Sequence, residues 1–343
     1  MDDVTDTAFR QIVADCAPPD LFFTEFVNVD GLQSPGRPRL LKKLLFTEHD
    51  RPLIAQLWGL KPENFKAVAA QIADGSLARE FGLPDGVNFA GVDLNMGCPA
   101  KSEVRMGACS ALIKRENWPL AKQIIDAARE GIAGRLPLSV KTRIGFDDPA
   151  VFDQLLPIFA KHSLDLLTVH GRTVKEMYRS AVHYEFIARA VAAVPCPVLA
   201  NGNVSSVKKA EEVLALTGAR GLMIGRGAIR NPWLFRQIRE HRRGEPIFRP
   251  TGRDVLNYVH ALYEAVCSPD VAEVSQVQKM KKYLNYITHG VEPTGQFQHT
   301  IRRVMTKADF SRVCAEYLDH EQPVPHEPLA MALTASEAGC GEH

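Results

Sequence analysis

The seven cysteines, at positions 16, 98, 109, 196, 267, 314 and 340, are odd in number and include no CxxC pair. That pattern excludes a disulfide framework and the usual structural zinc sites, and it points to a reducing compartment. No apolar run approaches the roughly 18–20 residues of a membrane span. The opening MDDVTDTAFR has no basic stretch followed by an apolar one, so it does not read as a signal peptide. A net charge of +1 by itself predicts no polyanionic partner. These absences lead to the expectation of a cytoplasmic protein with no metal and no membrane attachment, and nothing in the sequence sets its oligomeric state.

What is present suits a large α/β barrel with an appendage: 343 residues, 45% apolar and 24% charged. The near-neutral total hides an asymmetry. Residues 226–313 carry fifteen Lys/Arg against eight Asp/Glu, whereas residues 314–343 carry none against six. A basic C-terminal region on a neutral body is a pattern that polyanions recognise.

Over the first 230 residues short apolar runs end in polar or Gly-rich tips and are followed by helical stretches. The predicted strands are 21–26, 53–57, 92–95, 138–142, 166–170, 198–201 and 222–224. Strands alternating with helices of this length indicate right-handed βαβ crossovers and a parallel sheet. A closed (β/α)8 TIM barrel needs an eighth strand. The chain instead opens on a predicted helix over 5–16, so the expectation is a barrel lacking its first strand at the N-terminus, either truncated or with its true start upstream. From about residue 249 helical spacing continues without strands, over 254–267, 274–289 and 297–318, as in a small all-helical domain. The expected division is a barrel over 1–248, a helical domain over 249–318 and a disordered tail over 319–343.

Active sites of such barrels are built from the carboxyl ends of the strands. The predicted tips bring Gln56, Asn95, Lys141, Arg143, His170 and Arg172 there, followed by two Gly-rich turns, ANGN and IGRGA, of the kind that cradle phosphate. In the segment DLNMGCP a thiol stands three residues after a carboxamide where a strand leaves for a loop. Cys98 can donate a proton to a molecule bound there while Asn95 hydrogen-bonds to it. A buried structural cysteine beside a turn fits the same residues.

Taken together, MDDVTDTAFR, TEF, AQLWG, DLNMGCPAK, GACSALIKR, VKTRIG, VHGRT with Tyr178 following, ANGNV and IGRGAIRNPWLF resemble the tRNA-dihydrouridine synthase family of flavoenzymes. The resemblance runs from Met1 to about Phe235 and extends more loosely through the basic helices. It implies an oxidoreductase that reduces the C5–C6 double bond of uridine in tRNA, using FMN reduced by NADPH. Cys98 would be the general acid. Met1, Gln56, Lys141, His170, Asn201, Gly202, Asn203, Gly225 and Arg226 would bind FMN, and Asn95, Arg143, Arg172 and Tyr178 the uracil. Lys279, Lys281, Lys282, Arg302, Arg303 and Lys307 would meet tRNA phosphates. The chain departs from the family pattern in lacking the Ala-Pro strand before Met1. Cys109 stands where Gly is more frequent, Arg230 where Gly is common, and Tyr184 where Trp is usual. Two other readings fit: a flavin reductase of a free pyrimidine or another small enone, and a tRNA-binding protein without catalysis.

Overall fold

The computed structural model describes residues 1, 3–325, 327 and 328, which form two compact units. The first comprises Met1–Thr7, Asp20–Gly202 and Glu211–Met223. The second comprises Ala8–Pro19, Asn203–Ala210 and the described residues from Ile224 on.

All seven predicted strands are present in the first unit: β1 (Phe22–Asn28), β2 (Leu53–Trp58), β3 (Gly91–Met96), β4 (Leu138–Arg143), β5 (Leu166–His170), β6 (Val198–Asn201) and β7 (Gly221–Met223). They pair in parallel, in the order β1-β2-β3-β4-β5-β6-β7. Neighbours in space are thus neighbours in sequence, the single winding of a (β/α) barrel, without the order reversal of a doubly wound sheet. β3 is buried along its whole length, as a strand covered on both faces must be.

Between the strands lie amphipathic helices, among them Pro62–Ala73, Trp118–Ile132, Phe152–Lys161 and Tyr184–Ala193. Two of these pack so closely that Gly131 in the helix Trp118–Ile132 has no room for a side chain. A Cβ there would lie 2.2 Å from the carbonyl oxygen of Lys66.

The register fixes which side chains share a face. Side chains alternate along a strand, so residues paired across neighbouring parallel strands point the same way. Three such layers rise toward the carboxyl ends. The lowest is Gln56, Asp93 and Ser139, the next Asn95, Lys141 and Thr168, and the highest Arg143, His170 and Asn201.

In the second unit the helices Gly252–Val266, Glu273–Ile287, Gln296–Ile301 and Lys307–Leu318 stand within two residues of the predicted starts and ends, with one correction. The segment 297–318 is two helices rather than one. Thr306 accepts from the Asp309 amide at 3.1 Å and starts a new helix there. Thr251 and Asp254 form a reciprocal capping box at the head of Gly252–Val266. The N-terminal helix is Thr7–Cys16, two residues shorter than predicted. Phe9 stacks on Tyr283 with ring centroids 5.9 Å apart.

Residues 319–325, expected to begin a disordered tail, run back along the start of Gly252–Val266. The Gly252 amide donates to the Gln322 carbonyl at 3.0 Å, and the Val324 amide to that of Pro250 at 2.9 Å. The remainder of that expected tail, residues 329–343, lies outside the described residues. Among the described residues no helix is long and apolar enough to cross a membrane.

Candidate active site

At the β3 exit the chain turns sharply through Gly97, Cys98 and Pro99. The turn is held by Asn95, whose Oδ1 accepts from the Gly97 amide at 3.1 Å and the Cys98 amide at 2.9 Å. Asn95 Nδ2 donates to Gln56 Oε1 at 2.9 Å, and Gln56 Nε2 donates to Asp93 Oδ2 at 2.8 Å. Ser139 Oγ closes the chain by donating to Asp93 Oδ1 at 2.5 Å. A shift in register between β1 and β2 places Thr24 beside Gln56, and its hydroxyl accepts from the Gln56 backbone amide at 2.9 Å. All four side chains from Ser139 to Asn95 are buried. The loop carrying Cys98 is therefore tied to the floor of the sheet by an unbroken series of hydrogen bonds.

Charge is concentrated beside this relay. Burial pushes the Asp93 carboxyl up to about 6, against the hydrogen bonds from Ser139 and Gln56 and the charge of Lys141. Burial also pulls the Lys141 ammonium down to about 8, with help from the neighbouring Arg143 cation. The Cys98 thiol lies below its ordinary value, chiefly through a hydrogen bond with Cys109, with smaller help from the Ala100 backbone and Lys141. Cys109 is held well above its ordinary value by the same bond and by burial.

Two polar groups in the middle layer have no protein partner. Lys141 Nζ makes no hydrogen bond or ion pair among the described residues, and the buried Thr168 hydroxyl has none either. Buried polar atoms are seldom left so, and an unsatisfied one marks a place where a ligand or water belongs.

Arg143 and Arg172 reach the site by sequence but are fully buried in it. Arg143 Nε donates to the Gly97 carbonyl at 2.9 Å. Its Nη1 donates to the carbonyls of Thr173, at 2.9 Å, and Met177, at 2.8 Å. Arg172 donates to the Ser180 carbonyl through Nε at 2.8 Å and Nη2 at 2.5 Å. Both guanidinium groups thus shape the loop after β5. Tyr178 stands out of that loop, 42% exposed, with Arg143 over its ring at 5.2 Å and the His170 ring 6.1 Å away.

At the β6 tip Asn201 Nδ2 donates to the Met223 carbonyl at 2.8 Å, and the Tyr184 hydroxyl donates to the Gly202 carbonyl at 2.8 Å. Gly202 has φ +134°, and a Cβ there would meet Val182 Cγ1 at 2.9 Å, so only glycine fits the turn. In the second unit Arg226 Nη2 donates to Asn203 Oδ1 at 3.0 Å, immediately after Gly225. Met1 sits at the head of a turn in which its carbonyl accepts from the amides of Val4 and Thr5.

Asp93, Ser139, Thr168 and Cys109 join this site without having been singled out in the sequence. For the first three the signal is alternation. Each stands two residues before a tip residue already chosen, and so on the same face.

The chain matches the family model described as Dihydrouridine synthase over residues 1–322. It is 30% identical over 324 residues to a protein named probable tRNA-dihydrouridine synthase from Staphylococcus aureus (strain COL), covering 92% of this chain and 91% of that one. It is 31% identical over 316 residues to a protein of the same name from Staphylococcus epidermidis (strain ATCC 12228 / FDA PCI 1200), covering 90% and 89%. A third relative, probable tRNA-dihydrouridine synthase 2 from Bacillus subtilis (strain 168), is 35% identical over 248 residues, covering 70% and 71%.

Proposed function

The chain belongs to the dihydrouridine synthase family, and we propose that it reduces the C5–C6 double bond of uridine in tRNA, in the cytoplasm, with FMN as cofactor and NADPH as reductant. The observation that carries this reading is the thiol of Cys98. It has a lowered pKa, and its loop is pinned by Asn95 beside a layer in which the buried Thr168 hydroxyl has no hydrogen-bond partner among the described residues.

The residues fit a flavin. Lys141 would offer a cation to the ring, Gln56 would keep a second amide N–H for it, and His170 and the Met1 backbone would border it. Asn201 and Gly202, at the tip of β6, would face the ribityl phosphate. Bound and reduced, FMN supplies a hydride equivalent to C6 of the uracil.

The chain's own residues do the rest. The C5–C6 bond is conjugated with the C4 carbonyl, so charge moves toward O4 and C5 must take a proton. Cys98 Sγ gives that proton. Asn95 retains one amide N–H beyond those its partners use, and that donor is available to the pyrimidine edge. Arg143 and Arg172 act by holding the loop that presents Tyr178 to the base.

On the basic helices Lys282, Arg302, Arg303 and Lys307 are exposed and suit phosphate contacts. Lys279 and Lys281 suit them less. Lys279 Nζ donates to the Val266 carbonyl at 2.9 Å, and Lys281 is buried with Nζ 3.9 Å from Met305 Sδ.

The test is reconstitution of the full chain with FMN, NADPH and unmodified tRNA, with dihydrouridine measured by mass spectrometry of nucleosides. Cys98→Ala should keep flavin absorbance and tRNA affinity and lose roughly 10²–10⁴-fold in turnover. Parent protein that binds flavin but forms no dihydrouridine would overturn the proposal.

A further inference from the structure

The hydrogen bonds from Ser139 to Cys98 have a direction, and that direction is forced from the loop end. Asn95 Oδ1 accepts from two backbone amides, of Gly97 and Cys98, so its Nδ2 must face Gln56. Gln56 must then present its oxygen to Asn95 and its amino group to whatever lies beyond. Only an acceptor can stand there. Asp93 is that acceptor, fully buried, with Gln56 on one carboxylate oxygen and Ser139 on the other.

We propose that Asp93 is a positioning residue: its carboxyl oxygen sets the orientation of the Gln56 and Asn95 amides, and through them the place of the Cys98 thiol. The inference rests on the reaction proposed above for its meaning in catalysis. Its geometry is independent of that reading. A buried donor facing a donor is among the costliest arrangements in an interior, so reversing one amide disturbs every member of the chain.

The role is that of an acceptor, not of a charge. Asparagine at position 93 can keep Oδ1 toward Gln56 and turn Nδ2 to the Ser139 hydroxyl, which accepts as readily as it donates. Leucine, of similar shape, leaves Gln56 Nε2 with nothing to bond.

Two readouts separate positioning from simple loss of stability. The first is alkylation of Cys98 by iodoacetamide across pH, taken as the difference from the same measurement in the Cys98→Ala background. The second is kcat for tRNA reduction against tRNA Kd. Asp93→Asn should stay within about threefold of the parent in both. Asp93→Leu, folded and flavin-loaded, should shift the alkylation profile and lower kcat on the order of 100-fold at unchanged Kd. Parent-like alkylation and kcat in Asp93→Leu, or an Asp93→Asn as impaired as Asp93→Leu, would overturn the proposal.

Should Asp93→Leu fail to fold, a double-mutant cycle decides. Asn95→Asp still accepts from the loop amides but can no longer donate to Gln56, so Gln56 must turn its oxygen onto the Asp93 carboxylate. Adding Asp93→Asn supplies the missing donor and completes the relay in the reverse sense. The pair should recover Tm and Cys98 alkylation well beyond the sum of the single changes. Additive effects would show that the two positions do not communicate. Absence of dihydrouridine formation in the parent would count against the proposed reaction alone, because the alkylation profiles and the cycle in Tm remain readable.

Discussion

The Ser110 amide donates to the Cys98 carbonyl at 3.4 Å, which brings the backbone at Cys109 up to the Cys98 loop, and the Cys109 side chain is the largest influence lowering the Cys98 thiol pKa. Cys109 achieves this at φ +51°, a left-handed conformation that glycine adopts freely and other residues rarely. Cys109→Gly should relieve the backbone while removing the thiol, raising the Cys98 pKa. Iodoacetamide modification of Cys98 at pH 7 should slow several-fold, with Tm changed by no more than about 1 kcal/mol equivalent. Unchanged modification kinetics would show that Cys98 owes its acidity to other groups.

The Tyr184 hydroxyl holds the Gly202 carbonyl at 2.8 Å, and burial pushes its own pKa up to about 12, so it remains a donor throughout the working range. Tyr184→Phe removes that hydrogen bond. A loss of about 1 kcal/mol in stability is expected, read by urea unfolding. FMN dissociation should rise a few-fold if the turn at Gly202 serves the cofactor, measured by flavin fluorescence.

The strands and their tips were legible because alternation, turn residues and βαβ spacing all marked the same boundaries. The tips gave Gln56, Asn95, Lys141 and His170 directly. Asp93, Ser139 and Thr168 were as accessible, two residues further back on the same face, but a strand buried on both sides shows no polar–apolar contrast to draw the eye to them. The fate of Arg143 and Arg172 was not legible. Their partners are backbone carbonyls 8 to 46 residues away in sequence, including those of Gly97 and Ser180. The break after Ile301 was written plainly in the Thr306–Asp309 capping pair, against a run of apolar spacing that continued through it. The left-handed turn at Cys109 left one trace, that the family it resembles more often has Gly at that position.

The basic helices carry exposed charges at Lys282, Arg302 and Arg303. Arg302 Nε donates to Asn285 Oδ1 at 2.8 Å and Arg303 Nη1 to the His299 carbonyl at 3.0 Å, which fixes both side chains with further N–H groups left over. If these residues meet phosphates, replacing all three by alanine should weaken tRNA binding and flatten its salt dependence. The slope of log K against log salt should fall in magnitude by about 2–3, close to one per lost contact. Filter binding from roughly 50 to 300 mM salt, over which the Debye length falls from about 14 to about 6 Å, gives both quantities. A weaker but equally steep dependence would assign the loss to folding of the helices.

Lys141 ties the site to pH with a definite sign. Its folded value of about 8 lies below the ordinary 10.5 because burial and Arg143 disfavour the charge. A group depressed in this way contributes stability that is present above 10.5 and lost as pH falls through about 8. Without flavin, then, Lys141 is a burden at pH 7, and Lys141→Met should raise Tm there by the equivalent of up to about 3 kcal/mol. The same change should weaken FMN binding, since it removes the cation from the ring edge. In the parent, a bound anionic ligand favours the protonated amine, so above pH 8 binding must take up a proton. FMN affinity should fall by up to about fivefold between pH 8 and 9 and be nearly flat between about 6.5 and 7.5, while Lys141→Met shows no such fall. Titration of flavin fluorescence across that range checks it, and a parent whose affinity stays constant to pH 9.5 would show that Lys141 does not face the cofactor.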